Sequence, residues 1–131
     1  MGPAGAGELA KLANQMIVAG TICAVAEALL LAERGGADPA QVRAALLGGF
    51  ADSAILRQHG DRMVRGDFAP GGPAKHQLKD TSTAKALARS LDLELPVLAE
   101  VDHRGRASGR DPSGRGAAHR ATRAAGPGDP A

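Results

Sequence analysis

G-P-A-G-A-G-E-L-A-K-L-A-N-Q, residues 2–15, leads a glycine-bearing entry straight into a long helical pattern, and the rest of the chain is read outward from it. Lys11 and Asn14 stand at i, i+3, so on a helix they share one face, a turn apart. A cation beside a carboxamide, which both donates and accepts, is a workable arrangement for protonating a carbonyl oxygen. From Met16 to Ala32 the pattern continues as an apolar run, with Leu12, Met16, Ala19, Cys23, Ala26 and Leu30 at i, i+3, i+4 steps. This predicts one helix from Gly7 to about Arg34, apolar on nearly all sides and therefore central in a larger assembly. The run is 17 residues long and contains Thr21 and Glu27. A membrane span needs about 20 predominantly apolar residues, so the stretch reads as a buried helix and no membrane association is expected.

Four further helices are expected. Asp38-Pro39 supplies an N-cap and a first-position proline for a helix that carries Val42, Ala45 and Leu46 and stops near Gly48-Gly49. A third runs from Ser53 to Arg65, with Gly60 as a candidate interruption. D-F-A-P-G-G-P, residues 67–73, is a loop of breakers. A fourth helix spans about Ala74 to Leu91, L-E-L-P at Leu93–Pro96 breaks the chain, and a short fifth helix runs from Val97 to Val101. No segment alternates as a strand does, so the fold class is all-α: a helical bundle around one long apolar N-terminal helix.

Composition agrees. Hydrophobic residues make up 44% of the 131 residues and aromatics 2%, so the core is aliphatic, rich in the strong helix formers Ala and Leu. The scarcity of aromatic stacking platforms argues against a nucleic-acid partner. Cys23 is the single cysteine and reads as a small core residue, which fits a reducing, cytoplasmic setting. The four histidines, His59, His76, His103 and His119, have no metal-ligand spacing, so no metal is expected.

Charge divides the chain at residue 101. Residues 1–101 carry ten Lys/Arg and eleven Asp/Glu, whereas residues 102–131 carry six Arg and three Asp and contain no Val, Ile, Leu, Met or Phe. Such a segment cannot bury enough apolar surface to offset its conformational entropy, so 102–131 is expected to be a disordered Arg/Gly-rich tail behind a helical domain at 1–101. Its codon-biased composition would also fit a shifted reading frame of a terminal helix.

G-x-x-G-x-G-x-x-x-K-x-x-N at residues 2–14, A-E-A-L-L-L-A-E-R-G-G-A-D-P at 26–39, D-F-A-P-G-G-P-A-K-H-Q-L-K-D at 67–80 and L-E-L-P at 93–96 occur in that order. Together they resemble the C-terminal helical domain of the β-hydroxyacid dehydrogenases, the 3-hydroxyisobutyrate dehydrogenase and tartronate semialdehyde reductase relatives. The resemblance implies NAD- or NADP-dependent hydride transfer between nicotinamide and a small β-hydroxy acid or its semialdehyde. It implies Lys11 as the catalytic residue, general acid in reduction and general base in oxidation, with its pKa drawn toward neutrality by partial burial. It places Asn14 and Asp80 at the substrate and Lys79 at the cofactor, and it implies a homodimer formed through the helical domain.

The chain departs from the family pattern at Gly72, where many relatives carry an aromatic residue, and at Gln15, where a second asparagine is frequent. The family's N-terminal Rossmann domain is not expected in this chain. Gly5–Ala10 does fit G-x-G-x-x-A, but that fingerprint has meaning only after a strand, and only Met1–Ala4 precede it. The expectation is thus a dehydrogenase fragment, inactive alone. The alternative is a non-catalytic helical dimerisation module. Glu27, inside the apolar helix, reads as a structural carboxylate paired with a basic group.

Overall fold

The structure, a computed structural model, describes residues 5–66 and 74–107, with side chains from residue 79 to 106 in the second stretch. It contains α1 (Ala6–Arg34), α2 (Pro39–Leu46), α3 (Ala54–Arg65), α4 (Ala74–Ser90) and α5 (Pro96–Ala107), and no strand among the described residues. The all-α expectation holds. The loop at 67–73 and the segment 108–131 lie outside the described residues.

Local chemistry explains the boundaries. α1 ends where Gly36 takes φ 93°, letting Ala37 N–H reach the Ala32 carbonyl at 2.9 Å and Gly36 N–H the Glu33 carbonyl at 3.2 Å. A residue with a Cβ resists that left-handed turn, which is why glycine serves there. The Asp38 carboxylate accepts from Ala40 N–H at 3.0 Å and starts α2, with Pro39 in the first turn. The Ser53 hydroxyl accepts from Leu56 N–H at 2.9 Å and starts α3. Gly60 does not interrupt α3; it is buried within it, and Arg43 lies across it, its Cδ 3.5 Å from where a Cβ would be. Arg43 also donates to the Leu56 carbonyl at 3.1 Å and the Arg57 carbonyl at 2.8 Å, tying α2 to α3.

α1 touches all four other helices. Ile22, Val25, Ala26 and Leu29 of α1 pack with Leu56 and Met63 of α3, and Val18, Leu46, Leu47, Ile55 and Val64 close around them. α4 contributes Ala84 and Ala88 to the buried set, and α5 contributes Leu98. The buried face of α1 is rotated from the expected stripe: Ala19, Ala26 and Leu30 are buried, but Leu12, Met16 and Cys23 are only half-buried, and Ile22, Val25 and Leu29 take the centre. The opposite face stays open. By length and composition α1 could cross a membrane, and 33% of its most apolar window is buried inside the chain.

One boundary needs correction. The fifth helix does not fade at Val101 but continues to Ala107, so 102–107 belong to the folded bundle rather than to a disordered tail. The reason is polar. Asp102 is wholly buried between α5 and α4, and Arg104 reaches Glu27 of α1 at 3.6 Å. That ion pair gives Glu27 its expected basic partner, although the carboxylate stays exposed.

Candidate functional site

α1 opens from Gly5 in the left-handed region, with Leu9 N–H on the Gly5 carbonyl at 3.1 Å and Glu8 in the first turn. Lys11 follows, and Asn14 stands one turn on; both are exposed. Seven- and four-residue steps put Lys11 on the same stripe of α1 as Val18, Ile22 and Leu29, the stripe that turns toward the bundle. Ala19 is the first buried residue of α1, two turns beyond Lys11, so the amine stands over the open end of the bundle rather than within it. Among the described residues, the side chains of Lys11 and Asn14 have no hydrogen-bond or ion-pair partner. The partial burial expected for Lys11 is therefore not supplied by the described part of this chain.

Lys79 and Asp80 lie in the first half of α4. The buried side of this helix is Thr81, Ala84 and Ala88. Two residues before Thr81, Lys79 points away from that side and is exposed, while Asp80 sits at the edge, half-buried. The Thr83 hydroxyl donates to the Lys79 carbonyl at 2.8 Å. No described contact joins the Lys11–Asn14 pair to the Lys79–Asp80 pair. Each pair is set on a rigid helix and open to a ligand, but the described residues do not close them into one cleft.

A buried polar constellation between α4 and α5 was not legible in the sequence. Asp102 Oδ1 accepts from Thr81 Oγ1 at 2.9 Å and from Ser82 Oγ at 3.2 Å. Its Oδ2 accepts from Arg106 Nε at 3.0 Å and from Lys85 Nζ at 3.4 Å. Arg106 Nη2 donates to Ser82 Oγ at 2.8 Å. Burial alone pushes the Asp102 carboxyl up, and the hydrogen bonds from Arg106, Thr81 and Lys85 outweigh it, leaving the group below its ordinary value. The signal that could have found it is the i, i+4 pairing of Asp102 with Arg106, concealed in a stretch whose composition argued for disorder. Burial raises the Cys23 thiol, which fits a packing role.

A groove of about 530 Å³ runs between Met16, Ile17, Gly20 and Ala24 of α1 and Pro96 and Val97 at the start of α5. Its walls are apolar, and none of the four expected site residues lines it. Among the described residues no group of His, Cys, Asp and Glu is arranged to hold a metal ion.

The family whose pattern matches residues 5–123 is described as NAD-binding of NADP-dependent 3-hydroxyisobutyrate dehydrogenase. The chain is 50% identical to 2-hydroxy-3-oxopropionate reductase of Escherichia coli over 96 residues, which is 73% of this chain and 33% of that protein. It is 36% identical to a probable 3-hydroxyisobutyrate dehydrogenase-like protein of Arabidopsis thaliana over 99 residues, 76% of this chain and 30% of the relative. In fold it matches the crystal structure of 3-hydroxyisobutyrate dehydrogenase from Salmonella typhimurium with a TM-score of 0.83 at 22% identity, over 88% of this chain and 42% of that one. The chain spans about a third of the length of the curated relatives it matches.

Proposed function

The chain belongs to the NAD-binding family of NADP-dependent 3-hydroxyisobutyrate dehydrogenase, and from that membership we propose that it forms the helical part of a nicotinamide-dependent oxidoreductase acting on a small β-hydroxy acid or its semialdehyde. The observation that carries the reading is the 50% identity to 2-hydroxy-3-oxopropionate reductase over 96 residues.

Lys11 is the catalytic residue of this reading. Its ammonium donates a proton to the carbonyl oxygen in reduction, and its neutral amine takes the proton back from the hydroxyl in oxidation. The same positive charge stabilises the developing alkoxide. Asn14, a turn further on, orients the substrate through its carboxamide. Asp80 lies at the substrate edge and Lys79 contacts the cofactor. The donor set fits such a ligand: Lys11, Asn14 and Lys79 are exposed. Two ammonium groups and a carboxamide suit a hydroxy-acid carboxylate and a phosphate-bearing dinucleotide. The bound nicotinamide supplies or accepts the hydride.

The purified 131-residue chain is expected to give no NADH- or NADPH-dependent reduction of tartronate semialdehyde or methylmalonate semialdehyde. Joined to the nucleotide-binding part of the Escherichia coli relative, it is expected to turn over, and Lys11→Ala in that chimera should lower kcat by about 10²–10⁴-fold. An active chimera indifferent to Lys11→Ala would remove the lysine from the chemistry.

A second reading, a helical dimerisation module, is favoured by the outer face of α1. Ala10, Ala13, Ile17, Ala24, Ala28 and Leu31 recur there in steps of three, four and seven, and all are exposed. An apolar stripe of that length implies burial against another surface, here a second copy of the chain. Light scattering should show a dimer that Ile17→Asp converts to monomer; a monomeric parent chain would end this reading.

A further inference from the structure

The Asp102 network holds α4 by three residues, two of them successive. One carboxylate oxygen binds the hydroxyls of Thr81 and Ser82, and the other is held by Arg106 and Lys85. Asp102 is fully buried and Thr81 is 4% exposed. From residue 79 onward the buried residues of α4 are Thr81, Ala84 and Ala88, with Leu87 half-buried, so its apolar face is built mostly of methyl groups and offers little interlocking relief to fix the rotation of the helix.

A carboxylate bonded to neighbouring residues on one helix fixes that rotation. Each residue of a helix turns by about 100° and rises by about 1.5 Å, so a slip of one residue breaks both bonds. A buried charge contributes less to stability than an apolar side chain of equal volume unless all its bonds are made; its best-attested use is to select one register. Here four donors serve the two oxygens, and Thr83 closes the same turn by donating to the Lys79 carbonyl.

We propose that Asp102 is a positioning residue: by clamping Thr81 and Ser82 it sets the rotation and height of the α4 turn that presents Lys79 and Asp80. The inference rests on the cofactor and substrate roles given to that pair above. It adds α5, through a residue that touches neither ligand, to the parts that set the cofactor side of the site. The α5 segment beyond Val101 then has a use that its composition conceals.

The test is amide hydrogen exchange, read by NMR on the full chain, with a second readout at the Lys79 side chain. Asp102→Leu fills the space without the bonds. Thr81→Val with Ser82→Ala keeps the carboxylate paired to Arg106 and Lys85 and removes only its two hydroxyl bonds to the Thr81–Ser82 turn of α4. Both are expected to speed exchange at residues 79–85 by about ten- to a hundredfold, the scale of a lost charge-assisted hydrogen bond, and to leave residues 22–29 and 56–63 unchanged. Both should also move the Lys79 Cε and Nζ resonances. Unchanged exchange at 79–85 in the Thr81/Ser82 double variant would overturn the proposal. So would an equal acceleration across α1 and α3, the mark of an ordinary core residue.

A titration with NADPH separates the underlying reading from the inference. If NADPH leaves the Lys79 resonances of the active chimera unmoved, Lys79 loses its cofactor role, while the exchange data on the chain itself still decide whether Asp102 sets the turn.

Discussion

Two seams of the bundle are built in opposite ways. Between α1 and α3 the contact is apolar: Ile22, Val25, Ala26 and Leu29 against Leu56 and Met63. Along α4 and α5 the buried residues are Ala84, Ala88, Thr81, Leu98 and Asp102, and the carboxylate makes the specific bonds between the two helices. The first seam draws on burial that is proportional to area and indifferent to direction. The second depends on geometry, because a buried carboxylate missing a partner costs far more than a buried methyl. One seam provides stability and the other provides register. The seam that provides register carries Lys79 and Asp80.

The largest effect should come from cutting the apolar seam. Ile22 is 1% exposed at its centre, and Ile22→Ala is expected to cost about 2–5 kcal/mol through lost transfer free energy and the cavity left behind. Urea unfolding should show the loss as one cooperative shift of the whole bundle. A cost below about 1 kcal/mol would show that the seam can collapse around the gap, and the contrast between the two seams would weaken.

Acid should cut the other seam. The Asp102 carboxyl lies below its ordinary value in the folded chain, so its contribution is whole above the unfolded value, about pH 3.9, and is lost as pH falls below that. Protonation leaves Arg106 and Lys85 without their buried counter-charge. The α1–α3 seam contains no carboxylate among its buried residues. The nearby α2–α3 turn is held by Asp52, which accepts from Arg57 Nε at 3.0 Å and from Gly48 N–H at 2.9 Å. The hydrogen bond from Arg57 is the main cause that brings the Asp52 carboxyl down to about 2, so this turn keeps its charge well below pH 4. Below about pH 4, exchange is therefore expected to quicken along α4 and α5. Exchange along α4 and α5 that stays unchanged as the pH falls through that range would contradict the assignment of the acid-sensitive bond to Asp102.

The same division decides what was legible beforehand. Helix ends follow from local chemistry, so Asp38-Pro39, Ser53 and Gly35-Gly36 announce their boundaries. The apolar seam was legible as existing but not in its phase. α1 is apolar on nearly all sides, so periodicity could not select Ile22, Val25 and Leu29 over Leu12, Met16 and Cys23. Gly60 carries a breaker's propensity, yet burial under Arg43 keeps α3 continuous there. The polar seam was hidden because composition is an average. An aspartate among arginines and glycines looks solvated until a helix seventeen to twenty-one residues upstream brings hydroxyls and an amine to it. For the site, the sequence placed Lys11 and Asn14 on one helix and Lys79 and Asp80 on another. Bringing the two pairs together depends on the arrangement between helices, which no local pattern encodes, and the described residues do not close them into one cleft.

The smallest expected effect lies at the hinge of the two-helix α4–α5 unit. Asp92 is the one non-glycine residue with positive φ among the described residues, at 60°. It stands where α4 ends: Asp92 N–H donates to the Arg89 carbonyl at 3.2 Å and Leu93 N–H to the Ala88 carbonyl at 2.9 Å, the same closure that Gly36 provides for α1. A side chain in the left-handed region costs roughly 1–2 kcal/mol, less for aspartate, whose short carboxylate tolerates it. Asp92→Gly relieves that cost but adds freedom to the unfolded chain, worth about 0.4–1 kcal/mol in the opposite sense. The two nearly cancel, so Asp92→Gly should shift stability by about 0.5 kcal/mol or less, whereas Asp92→Ala, with neither glycine's freedom nor aspartate's tolerance, should lower it by about 1 kcal/mol. Calorimetric Tm values for the two variants test the turn. A Tm for Asp92→Ala equal to the parent's would mean that the chain leaves α4 in solution without a left-handed residue, and α5 would then be aimed by Asp102 alone.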